Sequence, residues 1–282
     1  MSSRPKTINE YLKLSNISKE GKLISPITET HCHLDLLKDV NLHDLRSSLE
    51  ELGIRRIITI GTSNKNFEQV QNIQSNLKEV YFTLGTHPHE AKHFKDEDIS
   101  YIKSIVKQKP GKMVAVGEIG LDYHYDFSPR EVQIQVFKKH LELAIELELP
   151  VVIHTREADV DMMDILNTYA PKMKKKGVVH SFSSGLKLGK LAASLGFYLG
   201  FNGIITFKNA EEVREAVRQT PLNQILVETD SPFLAPDPFR GRQNEPTYIP
   251  VIVDKIAELK QVSVEDCLSI VETNATQCFF LD

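Results

Sequence analysis

Two histidines one residue apart, His31 and His33, are the first residues in this chain whose types and spacing could do chemistry. They close an apolar, alternating run that is typical of a β-strand. Side chains at positions i and i+2 of a strand point to the same face, so both imidazoles would be presented on one side. Neutral imidazole is a good ligand for Zn²⁺ and similar divalent ions. The pair alone is a weak signal, because most such pairs bind nothing.

Residues that can bind a metal also close four other apolar runs. These residues are Glu118, His154, His180 and Asp230. One polar residue at the end of a buried strand is common, but five strands that end in metal-ligating types are hard to explain by the needs of folding alone. Four imidazoles and two carboxylates fit two divalent ions, which lie about 3.5–4 Å apart in such sites and share a bridging group. Glu118 is the best candidate for the bridge, because each of its carboxylate oxygens can bind one ion.

The elements that must position these residues alternate between short β-rich runs and longer helical patterns. Candidate strands occur at 27–33, 56–61, 80–85, 113–118, 151–154, 177–180, 197–202 and 225–230. Helical periodicity occurs at 42–52, 65–75, 99–107, 130–147, 159–169, 186–195, 211–218, 248–260 and 264–280. Apolar runs such as RIITIG and PVVIH are typical of buried parallel strands. We therefore predict an α/β fold, a TIM-type (β/α)8 barrel with an extra C-terminal helix, whose functional residues lie at the carboxyl ends of the strands. A doubly wound open sheet is the alternative.

The segment before the first strand lacks the apolar run of a secretory signal. We predict that residues 1–26 form an N-terminal extension and that residues 27–282 form one barrel domain. Thr7 is a candidate N-cap for a short helix that ends at Leu14. The extension is expected to lie on the barrel, with partial disorder as the alternative.

The composition is that of an ordinary globular protein. The 282 residues are 41% hydrophobic and 26% charged, with a net charge of −4 and a pI of about 6.2. No global basic field attracts nucleic acid, so local charge would have to do so. Three cysteines without CxxC spacing favour a reducing compartment, and we expect a cytoplasmic protein. No apolar run is long enough to cross a bilayer, and the sequence indicates no obligate protein partner.

Six motifs, in this order, resemble those of a known family. They are THCHLD, GTHPHEA, VGEIGLDY, VVIHTREA, VVHSFSSG and ILVETDSPFLAPDPFRGRQNEP. From about residue 27 to the C-terminus, the chain resembles the TatD-related metal-dependent deoxyribonucleases, a branch of the amidohydrolase-like TIM barrels. The resemblance implies DNA as the substrate and one metal ion held by His31, His33, Glu118 and Asp230. It implies a second ion held by Glu118, His154 and His180.

The implied reaction is hydrolysis by a water molecule that two divalent ions activate. The ions lower the pKa of that water and neutralise the phosphate as charge builds in the transition state. Asp230 can accept the proton of the attacking water and return it towards the leaving oxygen, and Glu118 couples the two ions. Two positions depart from the family pattern, because Glu29 stands where Asp is usual and Ser181 where Cys is frequent. Neither position is an expected ligand.

Three further residues are candidates for binding the substrate phosphate. His87 follows the third strand, Arg156 follows the fifth strand, and Arg240 lies in the long loop after the last strand. Arginine pairs with phosphate in a fork geometry. Each residue has a simpler alternative: a turn shaped by His87 and Pro88, a salt bridge from Arg156 to a neighbouring acid, and a loop-fixing pair between Arg240 and Glu245.

The remaining basic and histidine residues carry weaker signals. The basic run at 172–176 looks like a nucleic-acid patch, but it precedes the sixth strand and would lie on the barrel face opposite the metals. A solvated helix end is the better interpretation. A substrate contact and an ordinary loop position are equally open for His89 and for His124.

Three functions are compatible with these residues. The first is a metal-dependent deoxyribonuclease or related phosphodiesterase. The second is a hydrolase of the same barrel that acts on a small ester, lactone, amide or aminoacyl ester. The third is a non-catalytic metal-binding or partner-binding barrel, which the complete ligand set argues against. Imidazole ligands suit Zn²⁺ or Mn²⁺, whereas Mg²⁺ prefers oxygen, so the sequence leaves Mg²⁺, Mn²⁺ and Zn²⁺ open.

Overall fold

Eight parallel strands form a nearly closed barrel. The structure, a computed structural model, describes residues 5–19, 22–125 and 127–281. Two short strands, β1 (Ser18–Lys19) and β2 (Lys22–Leu23), pair antiparallel ahead of the barrel. The barrel strands, paired in chain order, are β3 (Ile27–Cys32), β4 (Ile54–Gly61), β5 (Val80–Leu84), β6 (Met113–Asp122), β7 (Val151–Arg156), β8 (Gly177–Val179), β9 (Tyr198–Phe201) and β10 (Ile225–Val227). The predicted TIM-type barrel is confirmed, and the doubly wound sheet is excluded because the strand order never reverses.

Helices alternate with the barrel strands, with one further helix before the first barrel strand and another at the C-terminal end, and each buries apolar side chains. They are α1 (Ile8–Leu14), α2 (Leu42–Leu52), α3 (Phe67–Asn76), α4 (Asp96–Gln108), α5 (Arg130–Leu147), α6 (Asp159–Tyr169), α7 (Leu186–Ser194), α8 (Glu211–Gln219), α9 (Ile249–Lys260) and α10 (Val264–Phe279). Local signals set the ends of α2: the Asn41 side chain accepts the N–H of His43 at 2.8 Å, and Gly53 ends the helix at φ +85°. Within the described residues, no helix combines the length and apolarity that crossing a bilayer requires.

Two strand ends differ from the prediction at positions that carry chemistry. The sequence predicts that the fourth barrel strand ends at Glu118, but β6 continues through Asp122. Its register against β7 shifts between Val116 and Ile119, an irregularity that brackets Glu118 and re-aims a side chain as a β-bulge does. The last strand is predicted to reach residue 230, but β10 ends at Val227. Asp230 has a φ of +58°, which an extended strand does not adopt.

The barrel closes between its first and last strands, β3 and β10. The hydroxyl of Thr30 donates to the carbonyl of Val227 at 2.8 Å. Beyond the end of β10, the N–H of Asp230 donates to the carbonyl of His31 at 2.9 Å, and the N–H of His33 donates to the carbonyl of Ser231 at 2.8 Å. The closing seam therefore brings three of the expected metal ligands together.

Described segments near both ends of the chain, α1 and α10, pack on the barrel. Thr7 caps α1 as predicted, because its hydroxyl accepts the N–H of Glu10 at 3.2 Å, and Leu12 of α1 is fully buried. Residues 1–4, 20 and 21 lie outside the described residues, and the division between extension and barrel at residue 26 stays a prediction. At the other end, the buried Arg56 of β4 donates to Glu272 of α10 at 2.5 Å.

The basic run at 172–176 makes contacts within the chain, just ahead of the amino end of β8. Lys174 pairs with Glu148, and the Lys176 ammonium donates to the carbonyl of Met173 at 2.6 Å. These contacts fit the predicted helix end on the face opposite the carboxyl ends of the strands.

A buried histidine of α5 makes the stability of the fold depend on pH. His140 donates from Nδ1 to the carbonyl of Val136 at 2.9 Å. Burial lowers its pKa from 6.5 to about 4. The unfolded chain therefore binds this proton at a higher pH than the folded chain, so the stabilising effect is complete above pH 6.5 and is lost as pH falls through 4.

The unfolding free energy of the unaltered protein should fall as the pH drops from 6.5 to 4. We expect this fall to be smaller by about 3 kcal/mol in His140→Leu, which has no imidazole to protonate. Urea unfolding of both proteins in EDTA from pH 4 to pH 7 measures this difference. The control is His43→Leu, which replaces an imidazole whose side chain is 87% exposed. Parallel pH profiles for the unaltered protein and His140→Leu would contradict the expectation.

Candidate metal centre

The carboxyl end of the barrel gathers all the residues that the sequence suggests as metal ligands. They lie in, or shortly after, strands β3, β6, β7, β8 and β10. They are His31, His33, Glu118, His154, His180 and Asp230. All are buried except His154, which is partly buried. The strand-end argument therefore placed the cluster correctly, while the roles of its members as ligands remain predictions.

Glu118 lies in the middle of this cluster and turns its two carboxylate oxygens in different directions. Oε1 lies 2.8 Å from Nε2 of His180 and 3.1 Å from Nδ1 of His154. Oε2 lies 3.7 Å from Nε2 of His31 and 3.9 Å from Nε2 of His33. Each oxygen thus faces its own pair of imidazoles, which is the geometry that a carboxylate needs to bridge two ions.

Asp230 completes the side formed by His31 and His33. Its Oδ1 lies 3.7 Å from Nε2 of His31 and 3.5 Å from Nε2 of His33. The rings of His31 and His180 stack with centroids 3.8 Å apart. Potential ligand atoms of His31, His180 and Asp230 lie within 4.8 Å of one another. His180 therefore lies between the two sides, whereas the family resemblance implies that it belongs to one.

His87 joins the other side of the cluster. The sequence suggests this residue as a phosphate contact, with a turn-shaping role as the alternative. Its Nε2 lies 3.4 Å from Oε1 of Glu118, and potential ligand atoms of His87, Glu118 and His154 lie within 4.8 Å of one another. Its Nδ1 also accepts the N–H of His89 at 3.2 Å. His87 therefore both shapes the turn and lies in the site, where it could bind a metal.

The cluster fits a bound cation. Both ring nitrogens of His31 are buried, and neither has a hydrogen-bond partner among the described residues. Buried polar atoms are rarely left in this state. Carboxylate oxygens of Glu118 and Asp230 face the imidazoles of His31 and His33 at 3.5–3.9 Å, beyond a good hydrogen bond. Donor atoms with this spacing can share an ion to which each is bound at about 2.0–2.2 Å.

The charge states of Glu118 and His31 suit a cation. Burial alone would raise the pKa of Glu118, but the imidazoles of His180, His87 and His154 hold it well below its usual range. Burial lowers the pKa of His31 well below its usual range, so this imidazole is neutral. An anionic carboxylate and a neutral imidazole are the protonation states in which these groups bind metals. Burial alone would lower the pKa values of His33, His154 and His180, but neighbouring carboxylates raise them, so a metal would displace protons from these imidazoles.

A carboxylate that sequence reasoning missed orients His154. Asp122, at the end of β6, places Oδ2 2.9 Å from Nε2 of His154 and 3.0 Å from Nε2 of His89. Its backbone is held in turn by Gln133, which accepts the N–H of Asp122 at 2.8 Å. With Nε2 occupied by Asp122, His154 turns Nδ1 towards Glu118. A carboxylate behind a metal-binding imidazole fixes the tautomer and the orientation of the ring.

Two more buried carboxyl groups hold the backbone around the ligands. Glu29 accepts the N–H of His31 at 3.0 Å and the N–H of Thr229 at 3.0 Å, across the closing seam. Burial raises the pKa of Glu29 to about 8. Glu228 lies 3.7 Å from Nδ1 of His180. Each of these carboxyl groups interrupts an apolar strand run two residues before an expected ligand, and that pattern could have identified both from the sequence.

Close packing around the cluster requires glycine at two positions. Gly120 has a φ of +143°, and a Cβ there would lie 1.9 Å from the carbonyl oxygen of His154. A Cβ at Gly200 would lie 2.3 Å from Oε2 of Glu228. A larger residue at either position would displace a ligand or the carboxylate behind one.

Two arginines suggested as phosphate contacts lie on exposed surface. The guanidinium of Arg156 lies over the ring of Tyr125 at 5.0 Å, and that of Arg240 lies over the ring of Phe207 at 3.7 Å. Within the described residues, neither pairs with a carboxylate, so the alternatives of a salt bridge and of a pair with Glu245 are not observed. Their role in binding phosphate stays a prediction.

Exposed aromatic side chains lie beside His33 and beside His89. The ring of Phe233 lies 6.0 Å from that of His33, and the ring of Phe127 lies 4.8 Å from that of His89. Tyr125 and Phe127 stack at 5.3 Å between centroids. About half of the surface of Phe233 and Phe127 is exposed, 51% and 52% respectively. Sequence reasoning did not identify these flat apolar faces beside the cluster.

We expect Asp122→Asn to weaken the binding of Mn²⁺ or Zn²⁺ by about 10- to 100-fold, because His154 loses the carboxylate that orients it. Calorimetric titration of the protein after EDTA treatment measures this change. Asp96→Asn, which removes an exposed carboxylate paired with Lys139, is the control. Equal affinities for the Asp122 and Asp96 variants would show that Asp122 does not tune the site.

The chain matches the family model described as TatD related DNase over residues 28–280. The uncharacterized metal-dependent hydrolase YabD of Bacillus subtilis (strain 168) is 35% identical over 252 residues, which span 89% of this chain and 98% of that protein. The uncharacterized metal-dependent hydrolase YcfH of Escherichia coli (strain K12) is 32% identical over 260 residues, which span 91% of this chain and 96% of that protein.

A solved structure agrees with these relatives. The crystal structure of YJJV, a TatD homologue from Escherichia coli K12, superposes with a TM-score of 0.84 at 29% identity. The match covers 91% of this chain and 98% of that chain. The family resemblance predicted from six motifs is confirmed. The chain therefore belongs to the TatD related DNase family and is a metal-dependent hydrolase.

Proposed function

We propose that this protein is a deoxyribonuclease that hydrolyses phosphodiester bonds in DNA at a centre of two divalent ions. The placement of Glu118 carries the proposal, because its two oxygens face separate sets of imidazoles. Such a bridge suits a pair of ions, and paired ions are a recurrent means of hydrolysing phosphodiesters. The description of the matching family, TatD related DNase, supports DNA as the substrate.

In the proposed centre the ligands divide between the two oxygens of Glu118, and His180 is assigned to Oε1 because its Nε2 lies 2.8 Å from that oxygen. His31 and His33 would hold one ion with Oε2, and His154 and His180 would hold the other with Oε1. Bound ions would supply a nucleophile at neutral pH and neutralise charge on the phosphate. A donor set rich in imidazole favours Zn²⁺ or Mn²⁺ over Mg²⁺.

We assign proton transfer to Asp230. Its side chain keeps 12% of its exposure, against 3% for Glu118, so water can reach it from the mouth of the barrel. A carboxylate in this position accepts the proton of the attacking water and returns it to the leaving oxygen. Asp230 also lies within 3.7 Å of both His31 and His33, so it can serve the ion on that side as well.

The rim of the site suits a nucleic acid. Arg156 and Arg240 are exposed without carboxylate partners among the described residues, so both are available to phosphate oxygens. His87, whose Nε2 lies 3.4 Å from Glu118, is kept as the third candidate phosphate contact. Exposed rings such as those of Phe127 and Phe233 can stack on unpaired bases. Phosphate contacts and base-stacking surfaces together favour a single-stranded nucleic acid over a small molecule.

A small ester, lactone, amide or aminoacyl ester is the second candidate substrate. The net charge of −4 favours it, because an acidic chain gains no long-range attraction to a polyanion.

One assay separates the two substrates. Purified protein is incubated with end-labelled single-stranded DNA and Mg²⁺ or Mn²⁺, with and without EDTA. We expect cleavage that EDTA abolishes and that a His154→Ala, His180→Ala double variant lacks. Absence of DNA cleavage together with hydrolysis of compounds from an ester and lactone panel would overturn the proposal in favour of the second substrate class.

We expect Asp230→Asn to fold normally and to lose at least about 100-fold in kcat, because the amide cannot accept the proton. Steady-state kinetics and circular dichroism measure the two effects. Asp39→Asn is a matched control, since Asp39 is exposed and also has a left-handed backbone, with φ +57°. Full turnover in Asp230→Asn would remove this residue from the mechanism.

We expect a His31→Ala, His33→Ala double variant to lose one of two bound ions, because the imidazoles of the other side remain. Elemental analysis by mass spectrometry after dialysis counts the ions. A double variant at His43 and His93, both exposed, is the control. Retention of both ions, or loss of both together, would contradict the assignment of separate ligand sets.

A further inference from the structure

The loop that follows Asp230 depends on a buried asparagine. It runs from residue 231 to residue 248, between β10 and α9, and carries Arg240. Asn244 is fully buried, and its Nδ2 donates to the carbonyl of Thr229 at 2.8 Å and to the carbonyl of Phe233 at 2.5 Å. These bonds fix the backbone on both sides of Asp230.

The backbone of Asp230 needs this support. Its φ of +58° is a left-handed conformation that costs free energy in a residue other than glycine. Its N–H donates to the carbonyl of His31 at 2.9 Å, and its own carbonyl accepts the N–H of Phe233 at 2.9 Å. A displacement of about 1 Å at a reacting group can cost about 100-fold in rate. Contacts that keep the loop in place therefore bear directly on turnover.

Residues 5–19 pack against this loop. The ring of Tyr11 meets that of Phe239 edge to face, with centroids 6.5 Å apart. Phe239 is fully buried and stacks on Tyr248 at 4.3 Å. Ile8 packs against the same small apolar cluster. Helix α1 thus covers the apolar core of the loop.

Polar contacts join residues 5–19 to the loop and to the helix that follows it. Arg242 of the loop donates from Nη1 to the carbonyl of Lys6. The hydroxyl of Tyr11 donates to Oδ2 of Asp254, on α9, at 2.6 Å. Tyr11 therefore joins the loop to the helix that follows it. The family match begins only at residue 28, so these contacts come from a segment outside it.

We propose that residues 5–19 form a clamp that positions Asp230 and Phe233 for the reaction, with Tyr11 as its positioning residue. Tyr11 packs against Phe239, which the loop connects to Asn244. Asn244 in turn bonds the backbone carbonyls of Thr229 and Phe233. The kinetic part of the proposal rests on the proposed function, whereas the structural part does not.

The test compares three changes on α1 in the full chain. Tyr11→Ala removes the ring and the hydrogen bond, Tyr11→Phe removes only the hydrogen bond to Asp254, and Leu14→Ala changes a residue of the same helix that is 69% exposed. If Tyr11→Ala does not fold, Tyr11→Leu replaces it, because leucine lacks both the ring that meets Phe239 and the hydroxyl that donates to Asp254. The kcat for single-stranded DNA is measured well below the unfolding midpoint of each variant.

A fluorescence probe reports on the loop without any need for activity. The chain contains no tryptophan, so Phe233→Trp introduces a single reporter beside His33. Each α1 variant is made again in this background, and quenching of the tryptophan by acrylamide is measured. A loosened loop exposes the reporter and raises the quenching constant.

We expect Tyr11→Ala to lower kcat about tenfold and to raise quenching at position 233. Tyr11→Phe should recover most of the turnover. Leu14→Ala should have the kcat and the quenching constant of the protein with an unaltered α1. If Tyr11→Ala lowers only the unfolding midpoint, with kcat and quenching equal to those of Leu14→Ala, the clamp proposal is overturned. If the unaltered protein cleaves no DNA, the proposed function fails, and quenching alone decides the clamp.

Discussion

The site depends on one buried carboxylate that is surrounded by imidazoles. Burying the charge of Glu118 would cost several kcal/mol if it were unpaired, but His180 and His154 lie within 3.1 Å of one of its oxygens. The other oxygen faces His31 and His33 at distances that leave room for an ion. The irregular register of β6 puts this side chain in the middle of the barrel mouth, so the remaining groups of the site are arranged around it.

The hydrogen bonds that close the barrel also position the residues of the site. Because β10 ends at Val227, regular ladder bonds do not complete the seam with β3. The carboxyl group of Glu29 instead accepts N–H groups from His31 and from Thr229, one on each side of the seam. Removing that carboxyl group would therefore loosen the barrel and the ligands together. Stability and function are linked here by shared hydrogen bonds.

Local sequence patterns predict the strands and the candidate metal ligands well. They predict less well which side chains contact one another. Apolar runs predict the barrel strands to within a few residues, because burial on both faces forces a continuous apolar sequence. His87 illustrates the limit, since sequence position suggests a phosphate contact while the fold brings it to 3.4 Å from Glu118. Asp122 is a second example, because only the extension of β6 past Glu118 shows that it faces His154.

The sequence by itself determined the fold class, the family and the types of residue at the strand ends, because strand periodicity and ordered motifs are local properties of the chain. Only the tertiary structure decided how Glu118 divides its oxygens between imidazoles and how His180 comes to stack on His31. It also decided that Tyr11 packs against the loop after Asp230. These relations join residues far apart in the chain, and their distances depend on barrel closure and on a register shift that no local pattern encodes.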